Sequence, residues 1–541
     1  MTSDTDADTA QNIDRLVLNG SRVFGWGWAA HPAKPVSAVH LRVVGDAGEV
    51  RLPADYGLSR EDVEKAHPGL VGARASGFIV TGFAKSYPHG RMVLEVDFAD
   101  GTRSAIDVTS RAERLYEKTR KRRMASWLAK SVWRRLKRGD LAGILRRARA
   151  QGLAAPPIDD AGIVDELLPH LEGARGVMIV FDHNMGGGAN QYRDRIIAAR
   201  LAAGDAVILC TYNLPTLDYR LNLMKAGAAA RTWRASTFVA LENVLDRFEN
   251  AEIFVNSPVS FDEPLLLADW LARMKADYPL ARLVVTAHDY FPVCPSFVLL
   301  DADGKYCGIP EISRCDPCLK RHEASFVALS PPTEMGAWRA LWGRCLAAAD
   351  EVRCFSEASR KLFLRAYPDL EPAKLTVIPH AVEFVPARKP RVNPSAPLVV
   401  GVIGEISVQK GALVVEQMLD RIEAESRDVR VVVLGLLHSA RKSQRLKVTG
   451  PYQRDDLAQL IEANGINMLL FPSIWPETFS YVVAEMAALG LPIVAFDLGA
   501  PAERLRALPL ARLVSRVDAR AALDTLVDFH RSLGPGRAEA A

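Results

Sequence analysis

Over roughly the first hundred residues, apolar and polar positions alternate in short segments, as in Val39, Leu41, Val43 and again in Leu94, Val96, Phe98. A period of two puts every second side chain on one face of a strand, so this stretch predicts an antiparallel all-β unit of the sandwich kind. Asp100-Gly101, between Phe98 and Ile106, supplies residues that tolerate the backbone of a tight hairpin turn. Phe24, Trp26 and Trp28 alternate with Gly25 and Gly27, which places three aromatic rings on one face of a strand. Such a face either fills a core or offers a flat platform for stacking sugars.

The pattern changes near Gly176. Residues 177–181, 206–210, 253–256 and 283–287 are apolar nearly throughout and are separated by stretches long enough for helices. Strands without alternation are those buried on both faces of a parallel sheet, so the series predicts a Rossmann-like α/β unit. A second series at 398–403, 468–471 and 491–496 predicts another. The expected architecture is therefore α/β, with two Rossmann-like domains facing a cleft behind an N-terminal β-sandwich. The expected boundaries are 1–110 for the sandwich, 111–160 for a linker, 161–385 for the first α/β domain and 386–541 for the second.

Composition changes this picture in one place. The chain of 541 residues is 49% hydrophobic with a net charge of +4, which suits several globular cores and excludes general disorder. Residues 111–150, however, hold fifteen Lys and Arg against Glu113, Glu117 and Asp140, a local net charge of +12. On a helical wheel Met124, Leu128, Val132 and Leu136 share a face opposite Lys130, Arg134, Lys137 and Arg138. A basic amphipathic helix of this kind either lies on an anionic membrane surface or packs its apolar stripe on a neighbouring domain. No nucleic-acid-binding motif accompanies the charge, so nucleic acid is not an expected partner. The N-terminus is polar and acidic rather than signal-like, and no apolar run reaches the roughly 18 residues that cross a bilayer. The expected location is cytoplasmic, with peripheral attachment to the inner membrane as the alternative the basic segment allows.

Candidate chemistry concentrates at three turns from strand to helix. In the first, the strand at 177–181 runs into His183 and Gly186-Gly187-Gly188 ahead of a helix, a form in which glycines let a ligand approach the backbone. In the second, Gly404 leads to Lys410-Gly411 after the strand at 398–403. The third is the segment 471–485, FPSIWPETFSYVVAE, which sets Glu477 and Glu485 eight residues apart around a helix start. Eight helical positions span roughly 12 Å, comparable to the distance from a donor sugar across a diphosphate to a ribose. The backbone N–H groups near Thr478 to Tyr481 would face the phosphates between them.

Glu477, Phe479 and Glu485 resemble the E-x-F-G-x-x-x-x-E motif of the GT-B glycosyltransferases of the group-1 type, of the kind found in bacterial polysaccharide and O-antigen biosynthesis; Ser480 departs from it. The resemblance extends to GGGANQY after the first strand and to Ile378-Pro379-His380. It continues through the Lys410-Gly411 loop and Val448-Thr449-Gly450 to the segment 496–501. It implies a retaining transfer of a sugar from a nucleoside-diphosphate donor to a polysaccharide or lipid-linked glycan, with no catalytic cofactor. It also implies roles. His288 and Glu477 would lie at the transferring sugar and Lys410 at the diphosphate, while Gly187, Gly188, Gly404, Thr478, Phe479, Ser480 and Glu485 would line the nucleotide-sugar. Where the family carries an arginine this chain carries Glu405, so either another cation such as Arg441, Lys442 or Arg445 substitutes or Glu405 turns outward. Two other readings stand beside transfer: a non-catalytic glycan-binding scaffold, and a sugar-nucleotide epimerase on the same fold. Cys294, Cys307, Cys315 and Cys318 cluster in the insertion 290–320, either as a structural zinc site or as four reduced thiols.

Overall fold

The structure is a computed structural model. It describes all residues except 1–7, 20–21, 46–47, 84–90, 115–159, 185, 214–217, 236–237, 239–240, 262–263, 323–334, 383, 385, 387 and 534–541. The amphipathic segment expected to touch a membrane therefore lies almost entirely outside the described residues. Among the described residues, no helix is long and apolar enough to cross a membrane.

The alternating N-terminal segments form β1 (Ala10–Asn19), β2 (Arg22–Ala30), β3 (Val36–Gly45), β4 (Gly48–Leu58), β5 (Gly77–Phe83), β6 (Arg91–Phe98), β7 (Arg103–Asp107) and β8 (Ala112–Arg114). They hydrogen-bond as one continuous sheet in the order β7-β6-β3-β4-β5-β2-β1-β8, antiparallel except for the β1–β8 pair. The strands share a single core of Leu16, Val23, Leu41, Phe78, Leu94 and their neighbours. The unit is built on strands as the alternation requires, with one short helix at Glu61–Ala66, but one continuous sheet shares that core where two facing sheets were expected. The opposite face of β3, β4, β6 and β7 is charged, with Glu95 held between Arg42 and Arg51 at 2.7 Å each.

On the aromatic face of β2 the two tryptophans are both buried, in different cores. Trp26 and Ile79 are buried in the core of the first α/β lobe, while Trp28 packs with Val63 and Ala73. Arg344 adds a polar tie, reaching Asp55 of the β unit at 2.9 Å and Asp269 of the lobe at 2.5 Å. The Trp26 ring thus docks one unit on the next, while Trp28 stays within its own unit.

In the first lobe the apolar runs become β9 (Val177–Asp182), β10 (Ala206–Asn213), β13 (Glu252–Ser257), β14 (Arg282–Thr286), β15 (Glu351–Cys354) and β16 (Leu375–Val377). β11 (Asp218–Lys225) and β12 (Arg231–Ala235) extend the sheet as an antiparallel edge, giving the order β12-β11-β10-β9-β13-β14-β15-β16. Both faces are covered. Val177, Ile179 and Phe181 face one cluster and Met178 and Val180 the other, which is why β9 shows no alternation in sequence. The helices that matter below are α1 (Gly188–Ala202), α2 (Pro264–Asp277), α3 (Met335–Ala348) and α4 (Glu357–Ala366).

The second lobe contains β17 (Leu398–Ile406), β18 (Val429–Leu437), β19 (Leu446–Val448), β20 (Met468–Phe471), β21 (Ile493–Phe496) and β22 (Ala511–Val514), all parallel in the order β19-β18-β17-β20-β21-β22. Its relevant helices are α5 (Ala412–Ala424), α6 (Tyr481–Leu489) and α7 (Gly499–Leu505).

The lobes meet along specific contacts. Tyr290 donates its hydroxyl to the Pro476 carbonyl at 2.8 Å, and Thr478 donates to the His288 carbonyl at 2.8 Å. The Glu503 carboxylate on α7 accepts backbone N–H groups of Glu357 and Ala358, capping α4 of the other lobe. The cysteine-bearing insertion also bridges them, since its Val298 and Leu300 are buried in the second lobe's core.

Candidate active site

Glycines fix where the second lobe's loops can lie. Gly411 has φ +90, and a Cβ there would stand 2.1 Å from the Pro472 carbonyl oxygen. The loop carrying Lys410 therefore rests directly on the chain leaving β20, an arrangement that Ile474 N–H reinforces by donating to the Gln409 carbonyl at 3.1 Å. Gly499, with φ +60, likewise lets the start of α7 close on Pro476 and Glu477. Lys410 and Glu477 come together as a result.

Glu477 is buried, and the Ser473 hydroxyl donates to its Oε1 at 2.9 Å. Burial raises its pKa, against the pull of the Lys410 ammonium and of hydroxyls from Ser473 and Ser480. Ser480 also caps α6, its oxygen accepting the Val483 N–H at 3.3 Å. The serine that departs from the family motif thus serves the helix and the glutamate together. Thr478 is tied to the His288 carbonyl, and the Phe479 ring lies 4.6 Å from His380 with the Arg504 guanidinium over it at 5.4 Å.

Glu485 lies on α6 with its side chain nearly buried, but Arg454 reaches it through Nε at 2.7 Å. Burial raises the carboxyl pKa and the arginine lowers it. Arg454 has no counterpart in the sequence reading. Glu405 points outward, where its carboxylate meets His438 Nε2 at 2.7 Å. Arg441 is held by Asp420 and Glu423 and Arg445 by Asp428, so neither is free to stand in for the missing basic residue.

Across the cleft, a buried polar network pins the glycine loop. Asn190 accepts Gly186 N–H at 2.6 Å and donates to Asp182 at 2.8 Å and to the His183 carbonyl at 2.9 Å, and Arg193 joins Asp182 at 3.0 Å. Gly187 has φ +91 ahead of α1. Gly188 has no room for a Cβ because the Tyr481 ring of the opposite lobe would stand 2.9 Å from it. The close approach is to an aromatic side chain.

His288 follows β14 with its ring stacked on Phe355 at 4.4 Å and 5.2 Å from His380. Its Nε2 is buried without a hydrogen-bond partner, and burial followed by the neighbouring histidines lowers its pKa well below the usual value. His380 is also buried, its pKa lowered to about 3 by desolvation and then by the Arg195 charge. Both rings are neutral at neutral pH. Tyr192, Phe355, His380 and Tyr481 close this side of the cleft, with Tyr192 only 4.7 Å from His380.

The four clustered cysteines are free thiols in one neighbourhood, where burial raises the pKa of Cys294 and Cys307, and that of Cys315 to about 11. Among the described residues, no three His, Cys, Asp or Glu side chains are arranged to hold a metal ion. The thiols do not converge as ligands would.

Two α/β lobes closing over a cleft behind an all-β unit make this a protein of the GT-B fold. Residues 397–530 match the family described as Glycosyl transferases group 1. The matched residues are those of the second lobe. No curated protein matches the chain. Among solved structures it is similar to Alr3699/HepE from Anabaena in complex with UDP and glucose, at 15% identity and TM-score 0.38 over 65% of this chain and 89% of that one. It is similar also to a glycosyltransferase from Rickettsia africae, at 12% identity and TM-score 0.39 over 66% and 88%. The catalytic domain of starch synthase IV from Arabidopsis thaliana, bound to ADP and acarbose, gives 12% and 0.39 over 66% and 92%.

Proposed function

We propose that the chain is a retaining transferase that moves a sugar from a nucleoside-diphosphate donor to a polysaccharide or lipid-linked glycan. The observation that carries this reading is the buried Glu477 beside the N-terminus of α6, close enough to feel the Lys410 charge, with Glu485 farther along the same helix. Glu477 would bind hydroxyls of the transferring sugar, Lys410 the diphosphate and Glu485 the ribose diol once Arg454 yields it. Negative charge grows on the diphosphate as the glycosidic bond breaks, and a fixed ammonium and a helix N-terminus favour that state over the ground state. The leaving phosphate then takes the acceptor's proton in a front-face attack, with no catalytic cofactor or metal.

Supplying purified protein with UDP-, GDP-, ADP- and dTDP-sugars and a glycan acceptor tests the reading. Release of one nucleoside diphosphate with an anomerically retained product is expected, and Glu477→Gln and Lys410→Ala should each abolish it while remaining folded. Near-native turnover in both variants rejects these roles. The scaffold reading draws on Glu405 at a position meant for a cation, and glycan affinity without nucleotide binding would favour it. For the cysteine cluster, zinc bound to protein expressed with ample metal would establish a site that the thiols must rearrange to form. Binding of the intact chain to anionic but not neutral vesicles is the corresponding measurement for the basic segment 111–150.

A further inference from the structure

A bound diphosphate brings at least two negative charges to the start of α6, and the second lobe offers it Lys410, with Glu405 turned outward to His438. Arg441 and Arg445 are committed to carboxylates. One nearby guanidinium is in a different position. Arg195, on α1 of the first lobe, donates at 2.6 Å to the hydroxyl of Tyr481, the first residue of α6, and at 3.1 Å to the Ala381 carbonyl. Both acceptors are neutral, and no carboxylate is among its hydrogen-bond partners in the described residues. Its field already reaches the cleft, since it acts on both Tyr481 and His380. The Tyr481 ring it holds lies against Gly188, where the glycine loop of the first lobe meets the start of α6.

We propose that Arg195 is a diphosphate-binding residue delivered across the cleft, supplying the second positive charge that Glu405 cannot. On donor binding its guanidinium would exchange a neutral carbonyl for a phosphate oxygen, a stronger, charge-assisted bond. Because Lys410 and Arg195 belong to different lobes, full neutralisation of the leaving group would require the lobes to be closed. This rests on the donor-site reading above.

The test is titration of wild-type protein and variants with UDP, GDP, ADP and dTDP, and with the matching nucleosides, at fixed ionic strength. Arg195→Gln should weaken the preferred diphosphate about 10- to 100-fold, the usual size of a hydrogen bond to a charged group, and leave the nucleoside unchanged. Arg195→Lys should lose less. A latch that merely holds the lobes would weaken nucleoside and diphosphate alike. Equal weakening of nucleoside and diphosphate, or unchanged diphosphate affinity in Arg195→Gln, overturns the proposal. If wild-type protein binds none of the four diphosphates, the donor-site reading falls first and takes this one with it.

Discussion

Replacing Gly411 by alanine tests whether the Lys410 loop is held where it is by backbone contact. Two costs arise. At φ +90 an L-residue pays about 1–2 kcal/mol relative to glycine. The new Cβ would also stand 2.1 Å from the Pro472 carbonyl oxygen and 2.7 Å from its carbonyl carbon, and main-chain atoms cannot swing aside as a flexible side chain would. Relief requires the loop or the end of β20 to shift, at about 1–3 kcal/mol by analogy with overpacked cores. Gly465 separates the two terms, because it has φ +67 and nothing within 4 Å of its added Cβ. Gly465→Ala should show the conformational cost alone, whereas Gly411→Ala should be about 1–3 kcal/mol less stable, a difference of several degrees in unfolding midpoint. Thermal unfolding of both variants measures this, and donor titration measures the consequence. A shift of the loop displaces the ammonium from Glu477, so Gly411→Ala should also bind donor more weakly than Gly465→Ala. If Gly411→Ala is no less stable than Gly465→Ala, the loop is not clamped by Pro472, and the account of how Lys410 reaches Glu477 is wrong.

Glu477→Gln should abolish transfer and yet unfold at an equal or higher temperature at neutral pH. Its folded pKa is raised by burial, so its favourable contribution belongs to the protonated state at low pH and is lost as pH rises; a neutral amide removes that loss. The buried histidines have the opposite sign. His380 titrates near 3 and His183 near 4 in the folded state against 6.5 when exposed, so the unfolded chain binds more protons and stability falls as pH drops from about 6.5 toward 4. Each accounts for up to about 1.4 kcal/mol per pH unit in that window, and His380→Gln should flatten the dependence measured by denaturant unfolding. Trp26→Ala should cost about 3–5 kcal/mol through loss of a side chain buried in the neighbouring lobe, and calorimetry should show the β unit unfolding separately from that lobe. A single unchanged transition would mean that the ring does not couple them. Tyr290→Phe leaves the Pro476 carbonyl without its donor, so it should cost about 1–3 kcal/mol and loosen lobe closure as followed by small-angle scattering.

Strands β9, β10, β13, β14, β17, β20 and β21 were legible because a parallel sheet covered on two faces favours Val, Ile and Leu, whereas the parallel strands β15, β16, β18 and β22 went unread. β11 and β12 were not legible either, since an antiparallel edge such as DYRLNLMK carries charges that read as loop. The proximity of Lys410 and Glu477 was readable only as a resemblance, because what enforces it is a positive φ and a carbonyl contact between loops more than sixty residues apart. Long-range pairings were beyond reach altogether. Nothing in the order of residues joins Arg195 to Tyr481, which are 286 positions apart, or assigns Arg454 to Glu485. Gly188 shows why. A glycine in a loop reports that something comes too close for a Cβ, yet a phosphate and an aromatic ring leave the same trace in the sequence. Here the ring of Tyr481 occupies that space, and its hydroxyl holds the guanidinium at the mouth of the cleft. If Arg195 binds the donor as proposed, the loop acts on that site through the side chain packed against it, and enlarging Gly188 should disturb Arg195 before it disturbs any phosphate directly.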